Sequence, residues 1–264
     1  MPIKLIAVDM DGTFLDDQMS YNEQRFMRLY HEMKSRDIHF VVASGNQYFQ
    51  LRSFFKGYED IIYIAENGAY IADGAKEYFI SSFEREALAV IFDYVARHPE
   101  LKNAVCGKKN AYILRTADAA FISMMKKYYH KIQLVDCYDT IDDRILKFAI
   151  SCPDEKTMKI IDELKNGLNG AAVPVSSGLG SIDLIKSGMH KANGLRKLGE
   201  VLGISSADMI AFGDGGNDVE MLKFVGCGVA MKNALGSIKA QADAVTDSNN
   251  DEGVLNYIEK CLNP

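Results

Sequence analysis

Asp9 and Asp11 stand one residue apart at the end of an apolar run, in Ile6-Ala-Val-Asp-Met-Asp-Gly-Thr-Phe-Leu15. At about 4 Å and an effective dielectric near 20, two ionised carboxylates repel by about 4 kcal/mol, so the pair needs a cation or a retained proton nearby. Three other polar clusters also follow apolar runs: Ser44-Gly45-Asn46, Glu66-Asn67-Gly68 and Gly213-Asp214-Gly-Gly-Asn217-Asp218. Ligands of an open parallel sheet bind beyond the carboxyl ends of its strands, so all four clusters are candidates for one rim. Several carboxylates gathered there are hard oxygen ligands in the number that suits Mg2+, which keeps waters and a substrate phosphate in its shell. Such an ion would offset the repulsion among Asp9, Asp11 and Asp214. The Ser44 hydroxyl and the amides of Gly45 and Asn46 would form a small anion pocket at a helix start. Taken singly, each motif is ordinary turn chemistry, and Ser44 alone reads as a helix N-cap. Their shared placement at strand ends is what points to a site.

Lys191, in Ser187-Gly-Met-His-Lys-Ala-Asn-Gly-Leu195, opens a helical pattern. The helix dipole disfavours a lysine there by about 0.3–1 kcal/mol, which hints at another role. Other chemistries fail on spacing. An EF-hand counted from Asp9 would put Ser20 at its twelfth position, and one counted from Asp214 would put Val219 where glycine is needed. Gly213-x-Gly215 has Asp218 in place of the third glycine of a dinucleotide fingerprint, and no phosphate-loop lysine motif occurs. The five histidines form no zinc-binding pair.

The elements that must position these residues show in the hydrophobic pattern. Apolar runs at 3–8, 38–43, 61–65, 209–212 and 225–231 lack alternation, as strands buried on both faces do, and helical patterns separate them at 23–36 and 47–56. The expectation is an α/β fold, a parallel sheet with helices on both sides. Between about 83 and 187 the rhythm changes to a long helix (84–97), a hairpin (103–114), helices at 119–129 and 155–166, and strands at 145–151, 172–176 and 181–185. This block reads as an inserted α+β unit, although periodicity also allows a continuation of one sheet. Lys108, Lys109 and Arg115, beside the hairpin, read as solvated charges.

At 264 residues with a formal charge of −6, the chain lacks the Lys/Arg run that a nucleic-acid groove or an acidic membrane surface would call for. Five scattered cysteines with no C-x-x-C pair, and an N-terminus that starts on a strand without a basic leader, give the expectation of reduced thiols in a cytoplasm. No apolar run approaches the ~18 residues of a membrane helix.

Asp9-Met-Asp11-Gly-Thr13, Ser44-Gly45, Lys191 and Gly213-Asp214-Gly-Gly-Asn217-Asp218 resemble, in order, the four motifs of the haloacid dehalogenase superfamily, specifically its Cof-type sugar-phosphatase branch. The likeness spans almost the whole chain and extends to Asn67-Gly-Ala, Gly228-Val-Ala-Met-x-Asn-Ala234 and Asp251-Glu-Gly-Val. It implies a Rossmann-like core (1–83 and 187–264) with an α+β cap at 84–186, between the second and third motifs. Two departures are Asn46, where many relatives have Arg, and Lys232, where they often have Gly.

The resemblance further implies hydrolysis of small phosphate monoesters, sugar phosphates above all, through an aspartyl-phosphate. Asp9 would be the nucleophile and Asp11 the general acid and base. Mg2+ would be held by Asp9, Asp214 and the backbone carbonyl of Asp11, and the transferring oxygens by Ser44, Gly45, Lys191 and Asn217. Asp218 would orient Lys191 or a metal-bound water. The partner is a small phosphorylated metabolite, with neither nucleic acid nor membrane expected; the oligomeric state is open. A phosphometabolite sensor or a phosphomutase on the same fold are the alternatives, separated by whether inorganic phosphate is released.

Overall fold

The computed structural model describes residues 3–178 and 180–263. Its strands run in chain order as β1 (Leu5–Val8), β2 (His39–Ala43), β3 (Ile62–Ala65), β4 (Tyr70–Ala72), β5 (Glu77–Ile80), β6 (Lys102–Gly107), β7 (Ala111–Leu114), β8 (Ile132–Val135), β9 (Ile145–Ser151), β10 (Val173–Gly178), β11 (Ser181–Ile185), β12 (Met209–Gly213), β13 (Cys227–Ala230) and β14 (Ala244–Val245). They form two sheets and not one continuous sheet: eight strands in the order β14-β13-β12-β1-β2-β3-β4-β5, and six in the order β10-β11-β9-β6-β7-β8. Two compact units hold them, one made of residues 1–44, 55–79 and 190–264, the other of 45–54 and 80–189.

In the first unit, β1 lies between β12 and β2 and is parallel to both, with Leu5 level with Met209 on one side and His39 on the other. The sheet stays parallel from β14 to β3 and then reverses, β4 pairing antiparallel to β3. All four residues of β1 are buried, which is why its sequence is an unbroken apolar run. Leu5 and Ala7 pack in one core cluster with Ala192, Leu195 and Leu198 of the Lys191–Leu202 helix and with Met221 and Leu222. Ile6 and Val8 point to the opposite face and are equally covered.

On that face the Glu23–Ser35 helix buries Phe26, Leu29, Tyr30 and Met33, the i, i+3, i+4, i+7 stripe of an amphipathic helix. The Asn22 side chain caps it by accepting the Arg25 N–H. The Phe26 ring lies 5.0 Å from Phe40 and 5.4 Å from Phe14, so the turn following β1 is pinned from behind by aromatic packing.

The second unit pairs its strands antiparallel except β7 with β8. The Arg85–Arg97 and Thr157–Gly167 helices contribute Ile91, Tyr94, Ile161 and Leu164 to a core with Phe148, Ile150, Ile182 and Leu184. The alternate residues Ala104, Cys106 and Ala149 meet Phe121 and Met125 of the Ala119–Tyr128 helix. Buried in this unit, Lys147 pairs with Asp183 at 3.1 Å and donates to the Gly45 carbonyl at 2.6 Å. Arg115 pairs with Asp136, and Lys109 with Asp142, at the surface.

Candidate active site

Asp9 follows β1 directly, and its N–H still bonds to the Phe212 carbonyl of β12. Beyond it the chain makes one wide turn, closed by Phe14 N–H to the Asp9 carbonyl (3.2 Å) and Leu15 N–H to the Met10 carbonyl (2.9 Å). Gly12 takes a φ of 74° within that turn. The conformation swings Thr13 back toward β12, where its hydroxyl donates to Asp214 Oδ1 at 2.7 Å.

Lys191, the first residue of its helix, is 1% exposed. Its ammonium donates to Asp9 Oδ1 at 2.5 Å and to Asp218 Oδ1 at 2.6 Å. The dipole penalty foreseen from sequence is thus outweighed by two buried charge-assisted bonds. The second Asp218 oxygen accepts the amides of Asp214 (3.1 Å) and Gly215 (2.9 Å), which fixes the loop after β12. The ligand oxygens of Asp9, Asp214 and Asp218 all lie within 4.8 Å of one another.

Three carboxylates against one ammonium leave a buried surplus of negative charge. Burial first, then the charges of Asp218 and Asp214, push the Asp9 carboxyl well above the usual range against the opposing pull of Lys191. Burial and Asp218 likewise raise Asp214, although the Thr13 hydrogen bond works the other way. Burial alone would lower Lys191, but the carboxylates of Asp218 and Asp9 outweigh it and hold the ammonium charged.

These donors fit a small divalent cation. Both oxygens of Asp218 are engaged within the protein, whereas among the described residues the side-chain hydrogen bonds of Asp9 and Asp214 use Oδ1, so that Oδ2 of each could face an ion. All the candidate side-chain donors are hard oxygens, as Mg2+ prefers.

Of the residues singled out in sequence, the structure brings Asp9, Asp214, Asp218 and Lys191 together. Asp11 is exposed on the turn, outside that cluster. Ser44 is buried at the end of β2, the strand beside β1. The next helix begins at Tyr48, so Ser44 is not its N-cap and the expected pocket is not at a helix start. Gly45 belongs to the second unit. Asn217 is exposed in the Gly216–Asp218 turn.

Three contributors had no role assigned from sequence. Thr13 holds Asp214, and Asn233 holds the site turn by donating to the Gly12 carbonyl at 2.8 Å. His190 caps the lysine's helix, its Nδ1 accepting the Asn193 N–H at 3.3 Å. Thr13 and Asn233 stand inside the quoted motifs, but nothing in a single sequence says which distant group each one bonds.

The family model described as haloacid dehalogenase-like hydrolase matches residues 6–258. The 5-amino-6-(5-phospho-D-ribitylamino)uracil phosphatase YbjI of Escherichia coli is 44% identical over 263 residues, 99% of this chain and 97% of that one. A Bacillus subtilis phosphatase of the same description, YitU, is 26% identical over 97% of this chain and 96% of its own. The crystal structure of SMU.1108c from Streptococcus mutans superposes with a TM-score of 0.92 at 34% identity, covering 99% of this chain and 100% of that one. Matched by the family model over nearly its whole length, the chain belongs to the haloacid dehalogenase-like hydrolases.

Proposed function

We propose that the protein is a Mg2+-dependent phosphatase of small phosphorylated metabolites, acting through an aspartyl-phosphate on Asp9. The observation that carries this reading is the buried bridge in which one lysine binds both Asp9 and Asp218 while Asp214 lies alongside. A carboxylate oxygen of Asp9 attacks phosphorus as the ester P–O bond breaks, and the departing alkoxide takes a proton from Asp11. Asp11, on the exposed side of the turn, then removes a proton from the water that attacks the same phosphorus, so inorganic phosphate leaves and the Asp9 carboxylate is restored. Lys191 and Ser44 hold the negative oxygens of the transferring group, joined by the Asn217 side chain. Asp218 acts through Lys191, keeping its ammonium aimed at Asp9. Asp9, Asp214 and the Asp11 carbonyl would hold Mg2+, and the ion would supply charge neutralisation at the phosphoryl oxygens.

The substrate class we infer is a phosphorylated ribitylamino-pyrimidine, on the strength of the 44% identity to the Escherichia coli phosphatase of that description. The test is a phosphate-release screen over that ester, hexose and pentose phosphates, nucleotides and an aryl phosphate, with Mg2+ and with EDTA. Release should require Mg2+ and be fastest on the ribitylamino ester; activity indifferent to chelation would remove the metal site. Asp9→Asn should lose at least ~10³-fold in kcat with its fold intact. Binding without release by the wild type would make the protein a sensor, and transfer to added sugar would make it a mutase.

A further inference from the structure

The Glu66-Asn67-Gly68 stretch ends β3 and has no part in the chemistry above. Its backbone is unusual, because all three residues have positive φ, 51°, 57° and 91°. This is the left-handed region in which a Cβ crowds the chain. Glu66 and Asn67 are nevertheless buried. On one side of this turn, the Asn67 N–H donates to the Ser44 carbonyl at 3.2 Å, and the Ser44 N–H donates to the Ile64 carbonyl at 2.9 Å.

On its other side the turn meets the start of the Lys191–Leu202 helix backbone to backbone. A Cβ at Gly68 would stand 2.6 Å from the His190 carbonyl oxygen. That oxygen accepts the first bond of the helix, from the Gly194 N–H at 3.1 Å. Gly194 is bare toward the turn as well, since a Cβ there would lie 3.3 Å from the Gly68 Cα and 2.4 Å from Ile64 Cγ2. Ser44 and Lys191 are 2% and 1% exposed, so neither has open space in which to readjust.

We propose that the Glu66–Gly68 turn is a positioning element for phosphoryl transfer, a left-handed block whose backbone sets the spacing between Ser44 and Lys191. The proposal rests on the phosphatase reading above and deepens it: Asn67 and Gly68 act through the two residues they hold and touch no substrate. Ordinary contact at Gly68 would require the helix start to recede by about 0.8 Å. A displacement of about 1 Å at a catalytic group costs up to about a hundredfold in rate.

The test compares wild type, Gly68→Ala, Asn67→Val and Asn67→Gly in saturating Mg2+. Hydrolysis of p-nitrophenyl phosphate gives kcat and KM, and calorimetric titration with inorganic phosphate gives binding without turnover. Gly68→Ala and Asn67→Val should melt cooperatively and keep Mg2+ half-saturation within about twofold, yet lose about ten- to a hundredfold in kcat and about tenfold in phosphate affinity. Asn67→Gly, which enters the left-handed region freely, should stay within about threefold of wild type in both readings. A folded Gly68→Ala equal to wild type overturns the proposal. So does an Asn67→Gly that falls as far as Asn67→Val, since the role would then lie in the side chain. If Gly68→Ala does not fold, the Asn67 pair decides. A wild type that binds phosphate but hydrolyses nothing removes the phosphatase reading alone, and binding still reports on the turn; one that does neither overturns both.

Discussion

Gly12 shows how little room the site leaves around its carboxylates. Its φ of 74° is one that other residues enter at a cost of about 1–2 kcal/mol. A Cβ there would also stand 2.7 Å from Asp214 Oδ2, one of the two oxygens that would face the proposed cation. Gly12→Ala should therefore raise the Mg2+ concentration for half-maximal activity and lower kcat by about tenfold or more, while costing about 1–2 kcal/mol in urea unfolding. A Mg2+ titration of activity indistinguishable from wild type would show that Asp214 does not need this approach. The glycine was legible as part of a turn, but its reason was not. Asp-x-Asp-Gly spacing says that a tight turn follows β1, whereas the identity of the group pressed against it depends on β12, some two hundred residues away in the chain. The same holds for Lys191, which stood out by its place at the wrong end of a helix dipole and by the family resemblance, neither of which names the groups it bonds. Its partners Asp9 and Asp218 come from different strand ends.

At the level of elements, β1, β2, β3, β12 and β13 were readable because burial on both faces leaves an unbroken apolar run that no other element of that length needs. Strands β4, β5, β8 and β14 were not read. They have two to four residues each, β5 and β14 have no buried residue and β8 has one, Val135, so their apolar pattern is too short to separate from loop. The Gly253–Leu262 helix carried a usable signal in its buried Val254, Leu255, Ile258 and Leu262, and it went unassigned. It is joined to the Glu23–Ser35 helix by ion pairs, Arg25 with Glu252 (2.7 Å) and Glu259 (2.5 Å), reinforced by Asn22 to Glu252 (2.9 Å). Hydrogen bonds from Arg25 and Asn22 hold Glu252 below its ordinary value, and those from Arg28 and Arg25 do the same for Glu259. Lowered carboxylates bind protons less tightly folded than unfolded, so this tie is fully present above the ordinary glutamate value near 4.5 and is lost as pH falls below it through the lower folded values. Arg25→Met should thus lower the urea midpoint at pH 7 and differ much less from wild type near pH 3. An equal deficit at both values would assign the loss to packing of the arginine stem.

Across the whole molecule, the surplus of carboxylates around Lys191 would couple the fold to the proposed cation. A ligand that binds only the native state at a hundred times its dissociation constant adds about 2.7 kcal/mol, and in a chain of this size each kcal/mol moves the midpoint by about 2–4 °C. Mg2+ should therefore raise the melting temperature by about 5–10 °C over EDTA, and Asp214→Asn should abolish most of that rise while staying folded in EDTA. A midpoint insensitive to Mg2+ in the wild type would contradict the cation site. The central place of β1 bears on biosynthesis as well. Its neighbours are residues 39–42 on one flank and 209–212 on the other. During translation Asp9 leaves the ribosome long before Asp214 and Asp218 have been polymerised, and until then one whole flank of its strand is bare. A nascent or prematurely terminated chain ending before β12 therefore carries Asp9 and Lys191 without Asp214 or Asp218. The cluster of Asp9, Asp214 and Asp218 is complete only with the last third of the polypeptide.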